Sequence, residues 1–428
     1  MSSKESREFD IIVLGASGFT GQFITEELAR SAPKEGIKWA ISGRNREKLS
    51  QVLITATKET GIELSDIAII EADVQLDESL RAMTGRTRLV LNAVGPYRFF
   101  GEQVVKACVE TATNHLDISG EPQYMESIQL KYHKLAEEKG IYIISACGWD
   151  SIPCDLGVQF LKKHFDGELN GVETYMSFKT GPQGVHTNYG TWQSAIHGFA
   201  AMGELKELRR RLYSEVFTKQ RPDSKYKLER KTLPFRTEDA NGWCVQFPGS
   251  DRSVVQRTQQ YRYEKFNERP IQIETYFVVR GMLYLIGIMI SGGLFGLMAS
   301  TRFGRNLLER YPEFFSFGMF SRVGPTREQL KDTSFSIKIV GNGWADKLAE
   351  PTDVPQVPPN KKAIVMIKGK DPGYTATSTC LVQAGITLIK EFDKLPNSGG
   401  ILTPGAAFDG TGIFDRLKAH DLTIELVS

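Results

Sequence analysis

Short apolar runs alternate with longer amphipathic stretches along roughly the first 150 positions, a pattern that predicts parallel strands joined by helices. Strands are expected at Phe9–Leu14, Lys38–Ser42, Ile67–Glu71, Leu89–Leu91, His115–Ile118 and Ile141–Ser145. Helices are expected directly after Gly21 and at Arg46–Thr60, Glu102–Thr111 and Pro122–Lys139. The apolar runs close on turn chemistry, as do buried parallel strands whose C-terminal ends form a ligand crevice. The fold class is therefore α/β, with a doubly wound domain over residues 1–150.

The turn after the first strand carries the most chemistry. Gly15-Ala16-Ser17-Gly18-Phe19-Thr20-Gly21 spaces its glycines G-x-x-G-x-x-G, a variant of the strand–turn–helix fingerprint that holds a dinucleotide pyrophosphate. One glycine permits the tight turn, one lets phosphates approach the backbone, and one lets the helix pack on the sheet. The pyrophosphate then faces the N–H groups and positive dipole end of the helix. The second strand ends in Ser42-Gly43-Arg44, where such folds contact the adenosine ribose. An NAD site usually places a carboxylate there. Arg44, with Arg46 and Lys48 close behind, instead suits a 2′-phosphate, so NADP is favoured and NAD is not excluded. Asp73-Val74 after the third strand is a candidate adenine contact. Asn92, Gly95 and Pro96 in the turn after the fourth would lie beside the nicotinamide half.

Further motifs carry a family resemblance. Cys147-Gly148-Trp149-Asp150-Ser151-Ile152-Pro153-Cys154-Asp155-Leu156-Gly157 follows the sixth strand, and Asp117-Ile118-Ser119-Gly120-Glu121-Pro122 follows the fifth. Taken with Gly15–Gly21, Asn92–Tyr97, Pro372–Thr377 and Gly399–Gly405, the chain resembles the saccharopine dehydrogenase superfamily, in particular its saccharopine dehydrogenase-like oxidoreductases. The resemblance touches the N-terminal third, the middle junction and the C-terminus. It implies a Rossmann domain, a second α+β domain and NAD(P)-linked redox chemistry in a cleft between them. The second domain is expected over 151–398, and a C-terminal helix and strand over 399–428 are expected to pack back near the first domain. The superfamily also includes enoyl reductases that act in trans on lipid intermediates. The Arg and Lys contacts by which saccharopine-forming enzymes grip two amino-acid groups are not found in residues 170–330.

Composition narrows the class. A net charge of +2 gives no general affinity for nucleic acid. Five scattered cysteines without C-x-x-C pairs suit a reducing compartment, and the six histidines form no metal-binding spacing, so no metal is expected. The short polar start of the chain is read as lacking a signal peptide.

Within the second domain, Met282–Thr301 runs for twenty residues without a charge, between Arg280 and Arg302, inside an apolar and aromatic insertion at about 276–322. That length can span or dip into a membrane, and Met282, Leu285, Ile288, Leu294, Phe295 and Leu297 are the candidate contacts. Phenylalanines and arginines from Phe303 to Arg322 are interfacial residue types. Upstream, Glu204–Arg236 holds eleven basic residues against five acidic ones, a local net of +6, which suits either an anionic lipid surface or a solvated, internally paired helix. A buried core helix is the alternative for the apolar stretch. A hairpin or interfacial helix at the cytoplasmic face of a membrane or lipid droplet is favoured over a single span, which would put the C-terminal motifs across the membrane.

Hydride transfer requires a proton donor or polariser opposite the nicotinamide. Asp117, Glu121 and Asp150 are the candidates, although Asp150-Ser151 can equally start the helix after Pro153. His115 and His133 are read as lying away from the crevice. Tyr261 and Lys265 match a short-chain dehydrogenase spacing but fall far beyond the nucleotide domain, so they are set aside. The expectation is an NADP-preferring oxidoreductase acting on a hydrophobic or lipid-like carbonyl or enoyl compound. A catalytically silent nucleotide-binding scaffold on a membrane or droplet and a lysine-pathway saccharopine dehydrogenase are the alternatives, and homo-oligomerisation is left open.

Overall fold

The computed structural model describes residues 7–396 and 399–427, so the polar segment 1–6 lies outside the described residues. The chain forms two units. The first holds residues up to Trp149 together with Gly373–Leu402 and Gly410–His420; the second holds Asp150–Pro372, Thr403–Asp409 and the C-terminal residues from Asp421. This differs from the expected division at 151–398 and 399–428. The Thr377–Lys390 helix belongs to the first unit, and the segment after residue 398 is shared between the two.

In the first unit, β1 (Phe9–Leu14), α1 (Phe19–Glu35), β2 (Trp39–Gly43), α2 (Arg46–Thr60), β3 (Ala68–Glu71), α3 (Asp77–Thr84), β4 (Thr87–Asn92), α4 (Tyr97–Thr111), β5 (Asn114–Asp117), α5 (Pro122–Glu138) and β6 (Tyr142–Ile144) alternate. The strands form a seven-stranded sheet, ordered β3-β2-β1-β4-β5-β6 with Gly400–Leu402 on the outer edge of β6. Every pairing is parallel. The order reverses between β1 and β4, which is the switch point where doubly wound sheets open a crevice for nucleotides. The central strands are buried on both faces, which is why they read as unbroken apolar runs: Ile11, Ile12, Val13, Leu89, Val90 and Leu91 are fully enclosed. The Thr377–Lys390 helix is buried almost throughout, and a side chain at its Gly385 would meet Leu91 Cδ2 at 2.9 Å. Gln383 on that helix donates to Glu27 Oε1 of α1 at 3.1 Å.

Two elements differ from expectation. Helix α4 begins at Tyr97, five residues before Glu102. The short α3, with Asp77 and Glu78 in its first turn, was not anticipated.

The second unit is built on a six-stranded mixed sheet in which Glu168–Lys179, Ser334–Trp344 and Lys361–Lys370 are the long strands. The Ile152–His164 helix packs so closely on this sheet that a Cβ at Gly157 would meet Ile339 Cδ1 at 2.8 Å. A separate cluster joins three helices, Tyr189–Ala200, Met282–Ser300 and Arg302–Arg310, around buried Trp192, Ile196, Ala299 and Leu308. Trp192 Nε1 donates to the Leu308 carbonyl at 2.9 Å, and its ring lies 5.0 Å from Phe295 and 4.9 Å from Phe320.

Candidate functional site

The glycine turn after β1 has the geometry its spacing requires. Gly15 adopts φ +84°, and a Cβ there would fall 2.7 Å from Val94 Cγ2 in the turn after β4. A Cβ on Gly21 would press on the turn's own backbone, with Ala16 Cα at 2.8 Å, so only glycine lets α1 approach β1. Gly18 is the N-cap of α1; no side chain caps that terminus, and no acidic residue lies in its first turn. The terminal N–H groups and the positive end of the helix are thus left for an anion. Gly18 is exposed, Ser17 and Thr20 half-buried, and Phe19 packs edge-on against Tyr374 at 4.7 Å. Sequence reading missed Tyr374, because it lies more than three hundred residues from the turn it touches; the Pro372–Thr377 motif was its signal.

At the end of β2, Arg44 is exposed and carries no ion pair among the described residues, whereas Arg46 lies 3.8 Å from Glu71. The residues present therefore fit NADP: an uncapped helix end behind a glycine-rich turn suits the pyrophosphate, and an uncommitted guanidinium at the end of β2 suits a 2′-phosphate. Asp73 uses Oδ1 to accept from the Gln75 N–H at 3.0 Å, and Val74 is part of the core beside Ile12, Val90 and Leu80. Asn92 is fully buried. Its Oδ1 accepts from the Val94 N–H at 3.0 Å, and its amide lies 3.3 Å from His115 Nε2, so its side chain is spent on shaping the turn. Gly95 is the exposed member of that turn, and Pro96 is buried.

His115 touches Asn92 at the base of that turn from within the core, where it is fully buried. Burial drives its pKa down to about 3, so the ring is neutral. His133 lies elsewhere, with Nδ1 accepting from the Ile401 N–H at 3.0 Å.

The three candidate carboxylates fall in different surroundings. Asp117 is fully buried and accepts from the Ser119 N–H, Tyr124 Oη and Ser145 Oγ at 3.0, 3.0 and 2.9 Å. Burial pushes its pKa up to about 6, although those three donors favour the charged form. Tyr97 sits in the same network. Its hydroxyl donates to the Asn92 carbonyl at 2.8 Å, and burial followed by the Asp117 charge raises its pKa. Glu121, 3% exposed, caps α4: Oε1 accepts from the Tyr97 N–H at 2.9 Å, Oε2 from the Arg98 N–H at 3.2 Å, and Arg98 Nε lies 3.5 Å away. This remote cap is why α4 starts five residues early. Asp150 lies in the second unit, where its Oδ1 accepts from Ser250 N–H, Ser250 Oγ and Ser151 Oγ at 2.9, 2.8 and 3.1 Å. It ties together the starts of the Ile152–His164 and Asp251–Phe266 helices, and burial raises its pKa and that of neighbouring Asp251. Glu121 and Asp117 thus belong to the first unit and Asp150 to the second.

The apolar stretch forms one helix, Met282–Ser300, and only 11% of its apolar window is buried, which rules out the core-helix alternative within this chain. Met282, Ile288, Leu294 and Leu297 are exposed, as are Leu283, Tyr284, Ile286, Met289 and Ile290. Two of the expected contacts turn inward instead: Leu285 is buried, and Phe295 packs on Trp192 and Phe199. The neighbouring Tyr189–Ala200 helix covers Phe295, claiming one stripe of an evenly apolar surface. Exposed Phe303, Phe314 and Phe317 continue the apolar face beyond the helix.

Comparison with known proteins agrees with this arrangement. A profile described as the saccharopine dehydrogenase NADP binding domain matches residues 11–144. Over 99% of this chain and 98% of the relative, the sequence is 42% identical to a mouse protein named saccharopine dehydrogenase-like oxidoreductase. A Caenorhabditis elegans relative named lipid droplet localized protein is 42% identical over 98% of each chain. Among solved structures, the apo saccharopine dehydrogenase (L-Glu forming) of Saccharomyces cerevisiae matches with a TM-score of 0.54 at 15% identity, covering 98% of this chain and 100% of that one; this likeness concerns the fold alone.

Proposed function

The chain belongs to the saccharopine dehydrogenase-like oxidoreductases, NAD(P)-dependent enzymes with an NADP-binding domain, and from that premise we propose that it reduces or oxidises a hydrophobic, lipid-like carbonyl or enoyl compound at a membrane or lipid-droplet surface. In this reading the turn Gly15–Gly21 and the start of α1 hold the pyrophosphate, and Arg44 grips the 2′-phosphate. Asp73 borders the adenosine, while Gly95 and the turn shaped by Asn92 and Pro96 border the nicotinamide. The nicotinamide supplies or takes the hydride. Asp117, pushed up to about 6 by burial and with Tyr97 beside it, is the residue we assign to orienting the proton-bearing network.

The observation that carries the lipid reading is the exposed apolar face of Met282–Ser300. A helix of this length left facing water would hold a patch far beyond what soluble proteins tolerate, and a phospholipid monolayer covers it. Its C-terminal half is anchored to the second unit through Trp192, while its N-terminal half is exposed apart from Leu285, which suits shallow insertion. The printed name of the worm relative supports a droplet surface.

The test pairs two assays on the full chain. Fluorescence titration with NADPH and NADH, on wild type and Arg44→Ala, is expected to show NADPH preferred and the preference lost in the variant. Flotation with artificial droplets is expected for wild type and not for a Leu283→Ser, Ile290→Ser, Leu297→Ser triple variant, followed by a turnover screen of lipid aldehydes, ketones and enoyl esters. Turnover of saccharopine with none of the lipids, or unchanged flotation of the triple variant, would sink the proposal.

A further inference from the structure

Part of the basic stretch Glu204–Arg236 is paired where it stands. In the Leu205–Glu215 helix, Arg210 pairs with Glu207 at 2.6 Å and Arg211 with Glu215 at 2.9 Å. Lys231 reaches Glu173 at 3.3 Å and Arg230 reaches Glu274 at 3.8 Å. Arg221 is different. Its Nη2 donates to the Gln256 carbonyl at 3.2 Å, its Nε is buried without an acceptor, and no carboxylate pairs with it among the described residues. Burial lowers its pKa; the Tyr213 phenol opposes that shift and the nearby Arg252 reinforces it. A half-buried guanidinium with one N–H shut off from water and no counter-charge beside it favours an anion that completes its shell.

Arg221 lines a cavity of about 160 Å³ together with Asn170, Asp223, Lys227, Arg269 and Gln272. Arg269 is 7% exposed and held by Nη1 donating to the carbonyls of Pro351 and Asp353 at 2.9 and 2.7 Å, so its position is fixed before any ligand arrives. Asn170 is likewise fixed: its side chain bonds the Tyr226 carbonyl, Ser224 and Gln272. Three cations therefore line one small cavity against a single exposed acid, Asp223. Two guanidinium forks and an ammonium match a tetrahedral oxyanion, and the volume accepts one with a small substituent. We infer that this cavity in the second unit binds a phosphate group, from a soluble phosphate ester or from a lipid head group, with Arg221 as its central contact and Lys227 and Arg269 beside it.

The full chain, saturated with NADPH so that the dinucleotide site is occupied, would be titrated calorimetrically with inorganic phosphate and with glycerol 3-phosphate. It would also be floated with phosphatidylcholine vesicles with and without phosphatidic acid. Saturable phosphate binding is expected, weakened at least about tenfold in Arg221→Gln and severalfold in Lys227→Gln. Lys227 is exposed, so its variant keeps the test valid if Arg221→Gln fails to fold. Loss of the phosphatidic-acid-dependent part of flotation in the variants identifies a lipid source; loss confined to the soluble ligands identifies a free ester. No saturable binding of either soluble phosphate by wild type, together with no dependence on phosphatidic acid, overturns the inference. So does binding that both folded variants retain in full. The inference does not rest on the apolar helix, and failure of flotation on neutral droplets would leave it standing.

Discussion

Replacing Glu121 by glutamine separates its two conceivable duties. In the structure the carboxylate accepts one N–H from each of the first two residues of α4 and faces the Arg98 guanidinium. Glutamine keeps an acceptor for the Tyr97 N–H but sets an NH₂ donor against the Arg98 N–H and guanidinium. One charge-assisted hydrogen bond is lost, worth about 1.5–3 kcal/mol. The anion at the helix N-terminus is lost as well, worth about 0.3–1 kcal/mol. The expected destabilisation of the first unit is therefore about 2–4 kcal/mol. Urea unfolding followed by tryptophan fluorescence, with Trp39 in β2 as a reporter inside this unit, would register it as a lower midpoint at an unchanged slope. NADPH affinity of the still-folded variant, below the transition, should fall only modestly. Unaltered stability accompanied by loss of turnover would refute the capping argument and return Glu121 to the chemistry.

Three further outcomes are expected. Asp117, and Asp155 in the second unit, have folded pKa values raised to about 6 by burial, above the ordinary carboxylate value near 4. The folded state therefore binds protons that the unfolded chain has released, and stability falls as pH rises from about 4 to 6. Asp117→Asn should flatten that fall in the first unit, measured by urea unfolding between pH 4 and 7; an unchanged pH slope would remove Asp117 as its source. Gly21→Ala forces a Cβ onto the Ala16 backbone, and a loss of about 3 kcal/mol or more together with loss of NADPH binding is expected in thermal melts with and without the nucleotide. Trp192→Ala removes the hydrogen bond to Leu308 and the ring contacts with Phe295 and Phe320, costing about 3–5 kcal/mol locally. Hydrogen exchange across 282–310 should speed up while exchange across β1–β6 stays as it was; uniform acceleration would contradict two separately stabilised clusters.

The first unit was largely legible because its strands are buried on both faces, and such strands announce themselves as continuous apolar runs. The glycine turn was equally readable, since each glycine answers a local steric demand. What escaped was non-local. The start of α4 depends on a carboxylate 24 positions later, which no reading of Tyr97–Gly101 alone supplies. The seventh strand, Gly400–Leu402, is three residues long and gains its identity only by pairing with Tyr142–Ile144. The Met282–Ser300 helix was recognised from composition, but an evenly apolar helix contains no polar stripe to say which side packs, so Leu285 and Phe295 were assigned outward. The basic stretch is visible as a charge excess, whereas which of its cations find a carboxylate depends on what folds next to them.

The insertion of the Thr377–Lys390 helix and the Gly400–Leu402 strand into the nucleotide-binding unit has a consequence for how the protein is made. A ribosome delivers β1 to β6 early, yet the unit stays open along its β6 edge, and the surface formed by Leu89, Leu91 and α1 stays uncovered, until the last tenth of the chain has left the exit tunnel. The second unit must be synthesised in the interval. An unpaired parallel edge and a bare apolar face are the features that recruit chaperones or lead to aggregation. Premature stop codons anywhere before residue 403 should thus behave alike: the truncated product loses nucleotide binding along with its C-terminus and is cleared as a misfolded chain.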